Sequence, residues 1–285
     1  MEMPFHQQQL EWMREFAQRR IDFLDPFFRF LNYFDTEYFF FLLAPILWIG
    51  CSSRWGIRIF YLATANALLN GFLKYLFEWP RPSQEIPGIG YFSPKNFGFP
   101  SGAAQTSFLL GGLFIYFFKN KKIAWPLGLF YILLISFSRV YLGVHYPIDL
   151  LGGWFFGAIL LLIFIYCIEP LETFLASQKL SRCLLLSLAL PILLLIPLDK
   201  IYILGSCLGA GIGIYLSLKH KLYLPAPKTL AEAFLRSLIA IATLFLIFWV
   251  WPPELPPYAK SFVLTFWLSF GASPLCRLLV KHQKE

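Results

Sequence analysis

The stretch SRVYLGVHYPIDLLGGWFFGAILLLIFIYC, residues 138–167, decides the fold. From Leu150 to Cys167 it holds no charged residue. With Pro147 suited to a first helical turn, it predicts a membrane-crossing helix over 147–168. Just ahead of that helix stand Ser138, Arg139 and His145, and Asp149 falls just inside it, four residues after the histidine. Ionisable side chains at the mouth of an apolar helix are costly, which makes them functional candidates by default.

The remainder of the chain has the same character. Of 285 residues, 58% are hydrophobic and 14% charged, with a mean hydropathy of +0.62, against roughly 25% charged residues in a soluble domain. This is the composition of an integral membrane protein, and its 32 Phe and 9 Trp suit lipid-facing and interfacial positions. The net charge of +8 reads as membrane topology and contact with anionic lipid, not as nucleic-acid binding. Cys51, Cys167, Cys183, Cys207 and Cys276 are scattered, mostly in apolar runs, with no CxxC or Cys/His grouping. Neither a disulfide framework nor a zinc site is expected. Residues 1–35 lack the short basic start and following apolar run of a cleavable signal.

Apolar runs long enough to cross a bilayer occur about nine times, near 36–52, 55–78, 101–118, 123–140, 147–168, 182–198, 201–218, 231–251 and 259–280. The expected fold is therefore all-α, a polytopic transmembrane helical bundle of about nine spans. Within residues 1–35, Leu10, Met13, Phe16 and Ala17 recur at helical spacing opposite Arg14, Glu15 and Arg19. That pattern predicts an amphipathic helix lying at the membrane interface. Residues 36–170 then form a membrane core, and 171–285 supply additional C-terminal helices, with the polar stretch around Pro225 and Pro227 as the clearest internal linker. Small residues four apart, at Gly153 and Gly157 and at Gly205, Gly209 and Gly213, predict close helix packing. Most Lys and Arg, among them Arg54, Lys119, Lys121, Lys179, Lys219 and Lys228, fall in one set of alternate loops, which should face the cytoplasm. The other loops should face outward, into a periplasm where the cell has one, from the cell (inner) membrane.

On that outer face the sequence gathers polar residues that hydrophobic patterning does not explain. Lys74 lies near the end of the second span and Arg81 just beyond it; Ser101 and Gly102 open the third; Arg139 closes the fourth; His145 and Asp149 open the fifth. One cation there could simply snorkel to headgroups, but three with a histidine and an aspartate make a site. Three fixed cations, a hydroxyl and the free N–H groups at a helix start are complementary to a phosphate dianion. His145 can attack phosphorus as a neutral imidazole, while Asp149 holds its other nitrogen in the N–H form. Transfer to His145 followed by attack of water would make a phosphatase with no metal and no cofactor.

Three segments carry a resemblance: KYLFEWPRP (74–82), FPSGA (99–103) and SRVYLGVHYPID (138–149). In this order and at span ends they resemble the K-x6-RP, PSGH and SR-x5-H-x3-D signatures of the type 2 phosphatidic acid phosphatase family, over roughly residues 38–168. The resemblance implies a helical membrane core, a phosphohistidine intermediate on His145, and lipid phosphates or polyprenyl diphosphates as substrates. It implies that Lys74, Arg81, Ser101, Gly102 and Arg139 hold the phosphate.

The departure is Ala103, where the family has a histidine that protonates the departing oxygen. Gln105 supplies no proton at useful pKa, and His6, His220 and His282 read as tail or cytoplasmic-loop residues. Loss of a general acid costs about 10² to 10⁴ in rate, and the cost depends on the leaving group. A lipid monophosphate expels an alkoxide whose conjugate acid has a pKa near that of water, about 15.7; a diphosphate expels a phosphate ester with a second pKa of about 6. Three readings of Ala103 follow: an engineered inactivation, an adaptation to a lipid diphosphate as substrate or phosphoryl donor, and a protein that binds or transports lipid phosphate without turnover. Retention of His145 and Asp149 speaks against the last, because binding needs neither.

Overall fold

The structure, a computed structural model, describes residues 4–179 and 201–280 and, between them, residues 181, 182, 185, 186, 189 and 192. The regular elements among these residues are helices: α1 (Pro4–Gln18), α2 (Asp25–Leu31), α3 (Glu37–Pro45, continued by a π-helical turn Ile46–Cys51), α4 (Ser53–Phe77), α5 (Gly102–Phe117), α6 (Ala124–Tyr141), α7 (Pro147–Ala176), α8 (Ile201–Lys219), α9 (Leu230–Val250), α10 (Pro257–Phe266) and α11 (Ala272–Leu279). By packing, the chain divides into two units, Met1–Phe39 with Leu69–Cys167 and Phe40–Leu68 with Ile168–Glu285.

Five stretches among the described residues are long and apolar enough to cross a membrane: α6, Pro147–Leu175 of α7, α8, α9 and the run Pro257–Leu279. The protein is an integral membrane protein, but the described helices do not reach the expected count of nine. The reasons differ by segment. The run at 36–52 belongs to a pair, Asp22–Phe34 and Phe39–Cys51, bent by 52°, which adds a sixth crossing only if it is one span. Helix α4 is 25 residues long, but Arg54, Arg58, Asn66, Asn70 and Lys74 dilute its apolar character. Helix α5 has 16 residues, or about 24 Å at 1.5 Å per residue, short of a hydrocarbon core of about 30 Å. The run at 182–198 lies almost entirely outside the described residues.

Small residues set the helix crossings within each unit. In the first unit, a Cβ on Gly111 would lie 2.7 Å from Ile132, and one on Gly128 would lie 3.0 Å from the Gly111 carbonyl, so α5 and α6 meet almost backbone to backbone. Gly153 and Gly157 of α7 make the same approach to the start of α5, where added Cβ atoms would fall 2.6 Å from the Ser101 carbonyl and 2.8 Å from that of Gln105. In the second unit, Gly205, Gly209 and Gly213 of α8 face the Tyr258 and Phe262 carbonyls and the Ser269 hydroxyl.

Helix α1 forms where its pattern predicts, but its apolar stripe is used within the protein. Met13 is fully buried with Ile89, Val140 and Tyr146, and Leu10, Phe16 and Ala17 pack against that group. The stripe read from the sequence as a membrane-facing surface thus lies against the first unit's own core.

Candidate active site

The end of α6 explains why Arg139 and His145 stand six residues apart. The Val144 amide donates to the Arg139 carbonyl (3.1 Å) and the Gly143 amide to that of Val140 (2.9 Å), closing the helix in a Schellman turn. The C′ position of that turn needs a left-handed residue, supplied by Gly143 with φ +70°; a Cβ there would also strike the Ile89 carbonyl at 2.5 Å. The chain then presents His145 and re-enters a helix at Pro147, whose first turn carries Asp149. Asp149 Oδ2 accepts from the Tyr146 amide (2.9 Å) and from His145 Nδ1 (3.0 Å), so one carboxylate oxygen serves the helix start and the imidazole together.

Arg81 approaches from the other side of the ring. It precedes Pro82, which holds it extended, and its backbone amide donates to the Gln84 side chain (2.9 Å) across a single helical turn, Pro82–Glu85. Its Nη1 donates to the Val144 carbonyl (2.9 Å) and lies 3.0 Å from His145 Nε2, while Nε and Nη2 donate to the Asn96 backbone and side-chain oxygens at 2.8 and 2.7 Å. A guanidinium has no acceptor. Facing Arg81, Nε2 offers its lone pair while Nδ1 carries the proton given to Asp149, and the ring also hydrogen-bonds the Gly98 backbone. Burial holds the His145 pKa well below its ordinary value, and the charges of Arg81, Lys74 and Arg139 act in the same direction.

The remaining predicted residues converge here. Lys74, at the end of α4, donates to the Phe97 and Gly98 carbonyls at 2.7 and 2.9 Å. Ser101 caps α5: its hydroxyl accepts from the Ala104 amide (3.4 Å), and its own amide donates to the Asp149 carbonyl (2.9 Å). Gly102 follows, where an added Cβ would fall 3.1 Å from Oδ1 of Asn70, whose amide donates to Gln105 Oε1 (2.9 Å) and the Pro100 carbonyl (3.2 Å). Arg139 Nε donates to Ser138 Oγ (3.0 Å) and Nη1 to Asn32 Oδ1 (2.8 Å). Lys74, Arg81, Ser101, Arg139, His145 and Asp149 are all buried. Among the described residues no group of three or more His, Cys, Asp and Glu is placed to hold a metal ion.

Ala103, next to Gly102, packs among apolar side chains. It is 1% exposed and belongs to an apolar cluster with Ile135, Tyr141, Leu142 and Val144 and with Phe28 and Leu31 of α2. The motifs do not reveal Asn32, Asn70, Asn96 or this use of α2. Asn70 did carry a signal, as an amide inside an apolar run. His6, read as a tail residue, is instead held 2.9 Å from Glu85 and edge-on to Tyr146; His282 lies outside the described residues.

Residues 55–172 match the model of the PAP2 superfamily. Over that stretch the chain is similar to membrane proteins of the type 2 phosphatidic acid phosphatase family. An undecaprenyl-diphosphatase of Sulfolobus acidocaldarius is 30% identical over 132 residues, which are 45% of this chain and 63% of that protein. Phosphatidylglycerophosphatase B of Bacillus subtilis is 32% identical over 138 residues, 42% of this chain and 64% of that protein. The chain thus spans less than two thirds of the length of these curated relatives. The crystal structure of a transmembrane PAP2-type phosphatidylglycerolphosphate phosphatase from Bacillus subtilis superposes with a TM-score of 0.50 at 23% identity, covering 59% of this chain and 88% of that one, a likeness of fold. Within the matched stretch, residues 55–172, lie all the residues of the cluster except Asn32.

Proposed function

We propose that this chain is a lipid phosphatase acting on a lipid diphosphate through a phosphorylated His145. The observation that carries the reading is the paired restraint on the imidazole, with Nδ1–H on Asp149 and the Nε2 lone pair facing Arg81. A buried histidine in that tautomer, kept neutral by burial and three cations, is a nucleophile at neutral pH. Lys74, Arg81 and Arg139, with the Ser101 hydroxyl and the first amides of α5, hold the terminal phosphate. As Nε2 bonds to phosphorus, the bond from phosphorus to the bridging oxygen breaks, and its electron pair leaves with the lipid monophosphate. Asp149 stabilises the imidazolium that develops. Water then attacks the phosphohistidine, the P–N electron pair returns to Nε2, and phosphate departs with loss of a proton to solvent.

Ala103 fits a diphosphate. The leaving phosphate ester needs no proton, and the alanine side chain is committed to packing against Phe28 and Leu31. The same site fed a lipid monophosphate would expel an alkoxide without help. Positive-inside counting puts this site on the outer face of the cell membrane. Accordingly, a cysteine placed at Ser83 should react with a membrane-impermeant reagent from outside and one at Asn120 should not.

The test is phosphate release by the purified chain in detergent, comparing a polyprenyl diphosphate with phosphatidic acid, for the chain as it stands and for Ala103→His. Turnover of the diphosphate alone by the chain as it stands supports the reading. Silence on both, with activity restored by Ala103→His, would mean a disabled monoesterase.

A further inference from the structure

The family match begins at residue 55, yet α2 and the turn after it reach the site from outside that match. Asn32 Oδ1 accepts from Arg139 Nη1 at 2.8 Å. Beside this contact lies a cavity of about 430 Å³ lined by Arg29, Phe30, Asn32, Tyr33, Tyr91 and Phe92, among others. It falls within the size range of small-molecule sites, about 300–1,000 Å³. Its only bridge to the phosphate cluster among the contacts described above is the Asn32–Arg139 pair.

The wall of this cavity is fixed on the protein. The Asp25 carboxylate accepts from the hydroxyls of Tyr141 (2.6 Å) and Tyr91. Phe28 stacks on Tyr141 with ring centroids 4.0 Å apart, and Phe28 and Leu31 pack into the cluster that contains Ala103. Arg29, one helical turn ahead of Asn32, lays its guanidinium over the Tyr91 ring at 4.5 Å, a contact that orients the fork. Arg29 also feels the Asp25 carboxylate, which two tyrosine hydroxyls hold, and it is an exposed cation on the cavity wall.

We propose that this cavity is the subsite for the leaving group, in which Arg29 binds the inner phosphate of a lipid diphosphate and the aromatic wall of Phe30, Tyr33, Tyr91 and Phe92 takes the first part of its apolar chain. Asn32 is a positioning residue that fixes the Arg139 guanidinium between the outer phosphate and this subsite. The proposal rests on the diphosphatase reading and adds the residues that would recognise the inner phosphate. The chemistry is consistent: when Nε2 of His145 takes the outer phosphorus, the inner phosphate receives the bridging electron pair and gains negative charge. A cation placed at the inner phosphate stabilises that charge as the anion leaves unprotonated. The N-terminal segment would thereby occupy the place of the absent histidine with packing from Phe28 and Leu31 and supply charge one turn away.

The test is binding, measured on the full chain in detergent with His145→Ala as background so that turnover plays no part. The probes are farnesyl diphosphate and farnesyl monophosphate. The background protein should hold the diphosphate more tightly. Arg29→Gln should weaken the diphosphate about tenfold and the monophosphate by less than about twofold, the size of one charge-assisted hydrogen bond. Arg29→Lys, which keeps the charge and loses the fork, should fall between. Asn32→Ala should weaken both probes, because it acts through Arg139. An equal loss for both probes in Arg29→Gln, or no loss, would overturn the subsite. Discrimination that depends on Arg29 in a protein whose natural sequence releases no phosphate would leave the subsite standing and overturn the catalytic reading.

Discussion

In the unit made of Phe40–Leu68 and Ile168–Glu285, the buried cations described lie against carboxylates. Arg58 is 2.5 Å from Glu172, and Arg236 pairs with Glu232 one turn away while donating to the Pro225 carbonyl at 2.7 Å. Buried hydroxyls there serve helix packing: Ser217 donates to the Ser269 carbonyl (2.7 Å), and the partly buried Thr265 donates to that of Ser206 (2.9 Å). In the unit made of Met1–Phe39 and Leu69–Cys167, Lys74, Arg81 and Arg139 gather round His145, and the carboxylate in that group, Asp149, is already engaged by the imidazole. Backbone and side-chain amide oxygens are among the acceptors of their hydrogen bonds. Charge matched locally holds helices in place, whereas three buried cations gathered round one carboxylate and an imidazole would, on the proposed reading, receive an anion.

The contrast breaks most sharply at Asp149. Asp149→Asn keeps the shape but loses the tautomer control, and kcat should fall by about 10³ to 10⁴ while Tm moves by only a few degrees. An activity loss under tenfold would remove the carboxylate from the chemistry. Next comes Arg139→Lys, which keeps charge and loses the fork. Phosphate affinity should drop about tenfold, whereas Arg58→Lys in the other unit should leave it unchanged. Equal affinities of the Arg139→Lys variant and the natural sequence would count against Arg139 as a phosphate ligand. Gly153→Val and Gly209→Val each place side-chain atoms against a backbone carbonyl and should cost about 1–3 kcal/mol in stability. Only the first sits on the Ser101 turn, so only it should also raise KM. The smallest effect concerns titration. Cations and burial depress the His145 pKa, so its midpoint by NMR should lie below about 6.5. Arg139→Gln removes one like charge and should move that midpoint upward; a downward movement would contradict the arrangement.

Much of the site was legible because its geometry is local. The SR-x5-H-x3-D spacing is a helix end, a left-handed glycine and a new helix start, so Ser138, Arg139, Gly143, His145 and Asp149 are fixed by short-range rules. Pro82 after Arg81 and Ser101 before Gly102 are equally local, as a turn and a cap. What escaped depends on distant contacts. Asn32 meets Arg139 across more than 100 residues, and Asn96 meets Arg81 from a loop without regular structure. The amphipathic stripe of α1 was visible, but periodicity alone does not say whether lipid or protein covers it. The expected span count exceeds the five described crossings where hydropathy was read over segments whose polar residues build the site, as in α4, or whose helix is short, as in α5.

The central claim is that His145 carries the phosphoryl group. It is tested most directly by incubating the full chain with a polyprenyl diphosphate labelled in its terminal phosphate and quenching during turnover. The account predicts label on the protein that is stable to base, labile to acid and absent in His145→Ala. Steady phosphate release by His145→Ala at the natural rate, with no label on either protein, would contradict it.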